Sequence, residues 1–140
     1  MNVLVIDGQG GKLGKELCEG IKKAFPDLCL TAVGTNSIAT LAMQKAGVNA
    51  AATGENAIVV CSRKADVILG PIGIVIADSL LGEITPKAAA AVGQSNAKKI
   101  LLPINKCNNI IAGLPDQPLS ALLLDALDLL KKEIERRTDA

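Results

Sequence analysis

The chain opens on a short unbroken apolar run, Val3 to Ile6, and then changes period. Leu13, Leu17, Ile21 and Phe25 recur at every fourth position, the stripe of a helix with one buried face. A second apolar run follows at 28–33, and the exchange of periods repeats down the chain. Residues 2–6, 28–33, 49–52, 66–69 and 99–103 read as strands. Residues 11–24, 37–46, 54–64, 72–81 and 85–93 read as helices, with a short sixth strand at 109–112 and a last helix at about 118–137. Pro26 stops the first helix and Gly47 closes the second, while Thr85-Pro86 supplies a cap and a proline at the first helical position. Ala57 to Cys61 could also form a strand, but that strand would need a hairpin with 67–69. A helix keeps the alternation going. Segment 72–81 is apolar nearly all round, and Leu119, Leu122, Leu123, Ala126, Leu127, Leu130 and Ile134 give the last helix a broad stripe.

Strands alternating with helices predict an α/β fold in one domain over residues 1–140: a doubly wound, mostly parallel sheet of five or six strands flanked by helices. Ligands of such sheets lie outside the carboxyl ends of the strands. Five turn segments meet at that edge, and they supply the candidate ligand-binding residues. These are Gly8, Gln9, Gly10, Gly11, Lys12 and Gly14 after the first strand, and Gly34, Thr35 and Asn36 after the second. Thr53, Glu55 and Asn56 follow the third strand, Gly70, Pro71 and Gly73 the fourth, and Asn105 the fifth.

Gly8, Gly11 and Gly14 fit G-x-x-G-x-x-G, a strand–glycine loop–helix order that can cradle a phosphate at a helix N-terminus. The same glycines also serve a tight turn with no ligand. A dinucleotide site needs an acid at the end of the second strand for ribose hydroxyls, and the chain has Thr35-Asn36 there instead. Asn36 or Ser37 serves equally as a helix cap. The loop differs from the phosphate loops of partitioning-type ATPases by one extra residue, and Glu16 replaces the magnesium-binding hydroxyl, which excludes ATP hydrolysis by that route.

Composition removes other chemistries. The chain has no histidine and no tyrosine, so a Ser-His-Asp arrangement and a tyrosine proton donor are absent, and no metal ligand cluster is expected. A net charge of +1 and one aromatic residue, Phe25, argue against nucleic acid. The longest low-charge run, 67–82, is broken by Gly70, Pro71, Gly73 and Asp78 and reads as core, not membrane. Cys18, Cys29, Cys61 and Cys107 form no CxxC pair; with no signal peptide in view, a cytoplasmic protein with free thiols is expected. Cys107, in a polar loop beside Lys106, should be the first to react, and the other three should be slow. Asp78 is a lone acid in an apolar stretch, facing solvent or a partner subunit. Glu55, Glu83, Lys87 and Lys106 are further acid–base candidates whose simplest roles are surface charges or caps. The charged end, 131–139, reads as a solvated face.

The segments VLVIDGQGG, GTNSIAT, ATGENAIVV, ADVILGPIGIVIADSLLGEITPKAA and NAKKILLPINKCN resemble a family of short bacterial proteins, number 3842 in the series of domains of unknown function. The resemblance implies a Rossmann-like fold and hands over no catalytic residue, substrate or cofactor. The residues themselves lead to a binding protein for a nucleotide, a dinucleotide or another phosphorylated small molecule, in a sensor, regulatory or accessory role. The alternatives are a small NAD(P)-type oxidoreductase or transferase using Glu55, Asp78 or Lys106, and a structural oligomer subunit with no ligand. A homodimer is expected, joined through the apolar helix at 72–81 with Asp78 near the dyad.

Overall fold

The computed structural model describes residues 1–104 and 108–139. Asn105, Lys106 and Cys107, singled out above, lie outside the described residues. The chain runs β1 (Asn2–Asp7), α1 (Lys12–Ala24), β2 (Cys29–Gly34), α2 (Ser37–Gln44), β3 (Ala50–Thr53), α3 (Glu55–Lys64), β4 (Val67–Pro71), α4 (Pro86–Gln94), β5 (Lys98–Leu102) and α5 (Leu119–Thr138). The five strands form one sheet in the order β3-β2-β1-β4-β5, and every pair is parallel. This is the doubly wound, Rossmann-like α/β arrangement that the alternation predicts.

The strands alternate their side chains between two apolar layers. Val3, Val5, Leu30, Val67 and Leu69 pack with Leu13, Leu17 and Ile21 of α1 and Leu122, Ala126 and Leu130 of α5. Leu4, Ile6, Val33 and Ile68 face the other way, against Ile58 of α3 and Ala88 and Val92 of α4. Both faces of the sheet are covered, which is why its strands read as continuous apolar runs. After β3 the chain crosses to pair β4 with β1, so the winding reverses between β1 and β4. The carboxyl ends of these strands therefore flank the crevice where such sheets hold ligands.

Several expectations need correction. Residues 72–81 are not a helix: a single 3₁₀ turn, Ile72–Val75, gives way to successive turns. β-Branched residues crowd the segment and its core positions do not keep helical spacing. Ile74, Leu80 and Ile84 are drawn into the α3–α4 layer, and turn bonds such as Asp78 N–H to Ile84 O (2.7 Å) satisfy the backbone. The proposed dimer helix therefore does not exist, and Asp78 is an exposed turn residue with φ 64°. No sixth strand forms at 109–112; these residues lie between left-handed Asn108 (φ 65°) and Gly113 (φ 77°). The charged end is not merely solvated. Glu133 is buried and accepts from Arg136 Nη2 (2.6 Å) and Arg137 Nε (3.0 Å), while Arg137 Nη2 donates to the carbonyl of Asp66 (3.1 Å). This ties the end of α5 to the start of β4. The Arg136 hydrogen bond leads the effects that hold the Glu133 carboxyl down at about 2, with burial opposing it. Among the described residues, no helix is long and apolar enough to cross a membrane.

The thiols follow the fold rather than the sequence expectation. Cys18 lies on the buried face of α1, and its thiol is pushed up to about 12, chiefly by burial. Cys29, expected to be buried in its strand, is exposed, because it is the first residue of β2 and pairs with exposed Asn2 at the amino end of the sheet. In the native protein a thiol reagent should modify Cys29 well before Cys18, with half-buried Cys61 between them. Mass mapping of the labelled peptides over time checks this; Cys18 reacting first would mean that α1 is not packed as described.

Candidate functional site

The loop from β1 to α1 is shaped by close packing. Gly11 has φ 75°, and a Cβ there would lie 2.7 Å from Ala39 Cα, so this glycine lets α1 start directly against α2. A Cβ on Gly14 would lie 2.7 Å from the Cβ of Asp7, and one on Gly34 would collide with the Thr40 backbone. Gly70 sits against the Ile6 carbonyl in the same way. Pro71 and Gly73 are buried, and the Ser79 hydroxyl donates to the Gly73 carbonyl. Several glycines assigned to a ligand thus serve strand–helix and helix–helix contact. Gly10 is different: it is exposed, with nothing within 4 Å of a built Cβ.

Two carboxylates satisfy the loop. Asp7 ends β1 and turns inward, accepting from the N–H of Gly8 (2.8 Å) and of Gly14 (2.7 Å). Burial raises its pKa; the two N–H bonds pull it back down, and nearby Glu83 adds to the rise. The second carboxylate belongs to Glu83. Its Oε1 accepts from the backbone N–H of Gln9 (2.9 Å), the hydroxyl of Thr35 (2.6 Å) and Nδ2 of Asn36 (2.8 Å). Desolvation opposes its charge, but the bonds from Thr35, Gln9 and Asn36 prevail and hold its pKa below the ordinary value.

Thr35 and Asn36 therefore do converge with the glycine loop. Asn36 does so while capping α2: its Oδ1 accepts from Ala39 N–H (2.9 Å) and its Nδ2 also donates to the Gln9 carbonyl (3.0 Å). An acid absent from the end of β2 in sequence does stand beside it in space: Glu83, from the turn before α4. That placement was not readable from the chain, since Gln9 and Glu83 stand 74 residues apart. Asp7 was missed because an acid ending an apolar run looks like the start of a turn.

The remaining candidates spread outward. Thr53 shares a hydrogen bond with Thr40 (2.7 Å) at the end of β3, and the Thr85 hydroxyl donates to Glu55. Lys12 and Asn56 are exposed and stand apart from the bonds that hold the Glu83 carboxylate. An open groove of about 360 Å³ runs beside the site, lined by Ser37, Ile38, Thr40, Leu41, Gln44 and Thr53. Ile38 is 69% exposed and Leu41 53%, so its wall is apolar. A separate depression of about 150 Å³ lies at the opposite, amino edge, lined by Asn2, Val3, Leu4, Thr31, Cys61, Lys64 and Ala65. It lacks the convergence of donors seen around Glu83 and sits at the end of the sheet that parallel folds do not use. Among the described residues, no group of three or more His, Cys, Asp or Glu is placed to hold a metal ion.

No curated protein matches the chain. A family model described as Domain of unknown function (DUF3842) matches residues 2–135, from the first strand into the last helix. A match of that extent takes in the glycine loop, the end of β2 and the segment that carries Glu83, and the chain accordingly belongs to the DUF3842 family.

Proposed function

We propose that this protein binds a nucleotide or another phosphorylated small molecule at the carboxyl edge of its sheet, as a sensor, regulatory or accessory protein. One observation carries the reading. Donors from the β1 loop (Gln9 N–H) and from the end of β2 (Thr35 and Asn36) converge on a single anionic oxygen, that of Glu83. A seat that holds a carboxylate oxygen with three hydrogen bonds has the chemistry to hold a phosphate oxygen. The groove beside Ile38 and Leu41 offers an apolar wall for the flat face of a base, next to the polar seat.

Thermal unfolding of the protein against nucleotides, dinucleotides and sugar phosphates tests the proposal. A ligand present at about 100 times its Kd should add about 2.7 kcal/mol to folding stability. Gly10→Val, which crowds only the open side of the loop, should reduce that gain. A panel in which no compound raises the midpoint would leave a structural role as the better reading. Retained NAD(P) in purified protein, with turnover, would favour an oxidoreductase.

A further inference from the structure

The Glu83 carboxylate occupies the place that the reading above gives to the ligand, and the segment delivering it is unusual. Asp78, Leu80, Leu81 and Gly82 have φ of 64°, 56°, 55° and 89°. Three of these four are not glycine, and leucine gains nothing from the left-handed region that would offset its steric cost. Leu81 is 96% exposed, so packing does not hold it there. Leu80 is buried, and its Cδ1 lies 2.9 Å from where a Cβ of Gly8 would be; Glu83 Oε1 is 3.2 Å from the same point. Leu80 and Glu83 thus stopper the space above Gly8, where a glycine loop would receive a phosphate. The strap is bounded by fixed points. Ile76 N–H bonds the Gly73 carbonyl (3.0 Å), and Thr85 caps α4 through Ala88 N–H (3.1 Å).

We propose that Glu83 is a built-in competitor for the ligand's anionic group, and that residues 77–84 form a strap that must leave the glycine loop for the ligand to enter. The inference rests on the binding-site reading above. The oxygen of Glu83 and a ligand oxygen need the same three donors, and two anions sharing one seat repel each other. Apparent affinity is then the intrinsic affinity reduced by the fraction of molecules with the strap open. Strain at Leu80 and Leu81 favours the open state, while the three hydrogen bonds to Glu83 and the burial of Leu80 and Ile84 against the α3–α4 layer favour the closed one.

Calorimetric titration of the full chain with inorganic pyrophosphate, at fixed pH and low salt, tests this. Glu83→Ala should tighten binding about tenfold or more, and Glu83→Gln, which keeps the acceptor oxygen but loses the charge, about threefold. Leu81→Asn should act in the opposite direction. Asparagine adopts the left-handed conformation at less cost, which steadies the closed strap and should weaken binding about threefold. Should Glu83→Ala fail to fold, Glu83→Gln and Leu81→Asn still carry the test through their opposite signs. Wild-type protein that binds pyrophosphate as tightly as Glu83→Gln and Glu83→Ala, or more tightly, would overturn the competitor and leave the site standing. Folded variants that all ignore pyrophosphate would overturn it too, and the nucleotide panel then decides the site separately.

Discussion

Gly11→Val is expected to lower folding stability by about 3 kcal/mol, while Gly10→Val, one residue earlier, should stay within about 0.5 kcal/mol of the wild type. The two glycines look alike in the sequence. Gly11 holds φ 75°, where a β-branched residue is strained by about 1–2 kcal/mol from chirality alone. Its Cβ would also stand 2.7 Å from Ala39 Cα and 2.9 Å from the Ala39 carbonyl oxygen, both backbone atoms that can shift only by parting α1 from α2. Gly10 has neither constraint, since its φ is not left-handed and its surroundings are open. Urea midpoints of the two variants check the pair. Equal loss at both positions would mean that the loop is rigid throughout and not pinned at Gly11. Gly11→Val would therefore report on helix packing rather than on a ligand, which makes Gly10→Val the informative substitution for binding.

Asp7→Ala should have an effect of similar size, again about 3 kcal/mol. Two buried N–H groups, those of Gly8 and Gly14, would lose their acceptor, and each unsatisfied group costs about 1–3 kcal/mol. Asp7→Asn should cost about half as much, because the amide oxygen still serves one of them. The pH dependence has a definite sign. The raised pKa means that folded protein keeps the Asp7 proton to higher pH than the unfolded chain does. Stability from this group is therefore present below the ordinary value of 3.8 and falls as pH rises from there through the raised value. Glu83 runs the other way. Its folded pKa is lowered, so its contribution is present above 4.5 and fades as pH falls below that. Urea unfolding of wild type and Asp7→Asn from pH 3 to pH 7 should show the wild type losing ground to the variant over the Asp7 window. An Asp7→Ala protein as stable as the wild type would mean that this carboxylate does not hold the loop.

The sheet and most of its helices could be read from local pattern. The apolar runs of β1, β2 and β4 are buried on both faces, so their composition alone marks them, and Thr85-Pro86 announces α4 at the residue where it begins. What could not be read was tertiary in origin. Residues 72–81 have the apolar content of a helix but not the spacing of core positions, and local periodicity cannot show that Ile74, Leu80 and Ile84 all reach one layer through turns. The site was half visible. Thr35, Asn36 and the glycine loop follow strands whose carboxyl ends share an edge, so topology brings them together. Glu83 comes from a segment whose path depends on the core, and it looked like one surface charge among several. The glycines misled for a related reason: close approach to a phosphate and close approach to a neighbouring helix ask for the same missing Cβ.

The strand order also bears on how the chain assembles. β1 pairs with β2 early in the sequence, as Val3 with Leu30, but its other neighbour is β4, as Val3 with Val67. Closing the second contact costs more chain entropy than the first, so β1, β2 and β3 with their helices form the more local half of the fold. The bond from Gln9 to Glu83 spans both halves and closes 74 residues of chain. Glu83 is therefore expected to join after the local half has formed. Its removal should speed unfolding and leave the folding rate nearly unchanged, so the residue that closes the site also acts as a kinetic latch on the finished sheet.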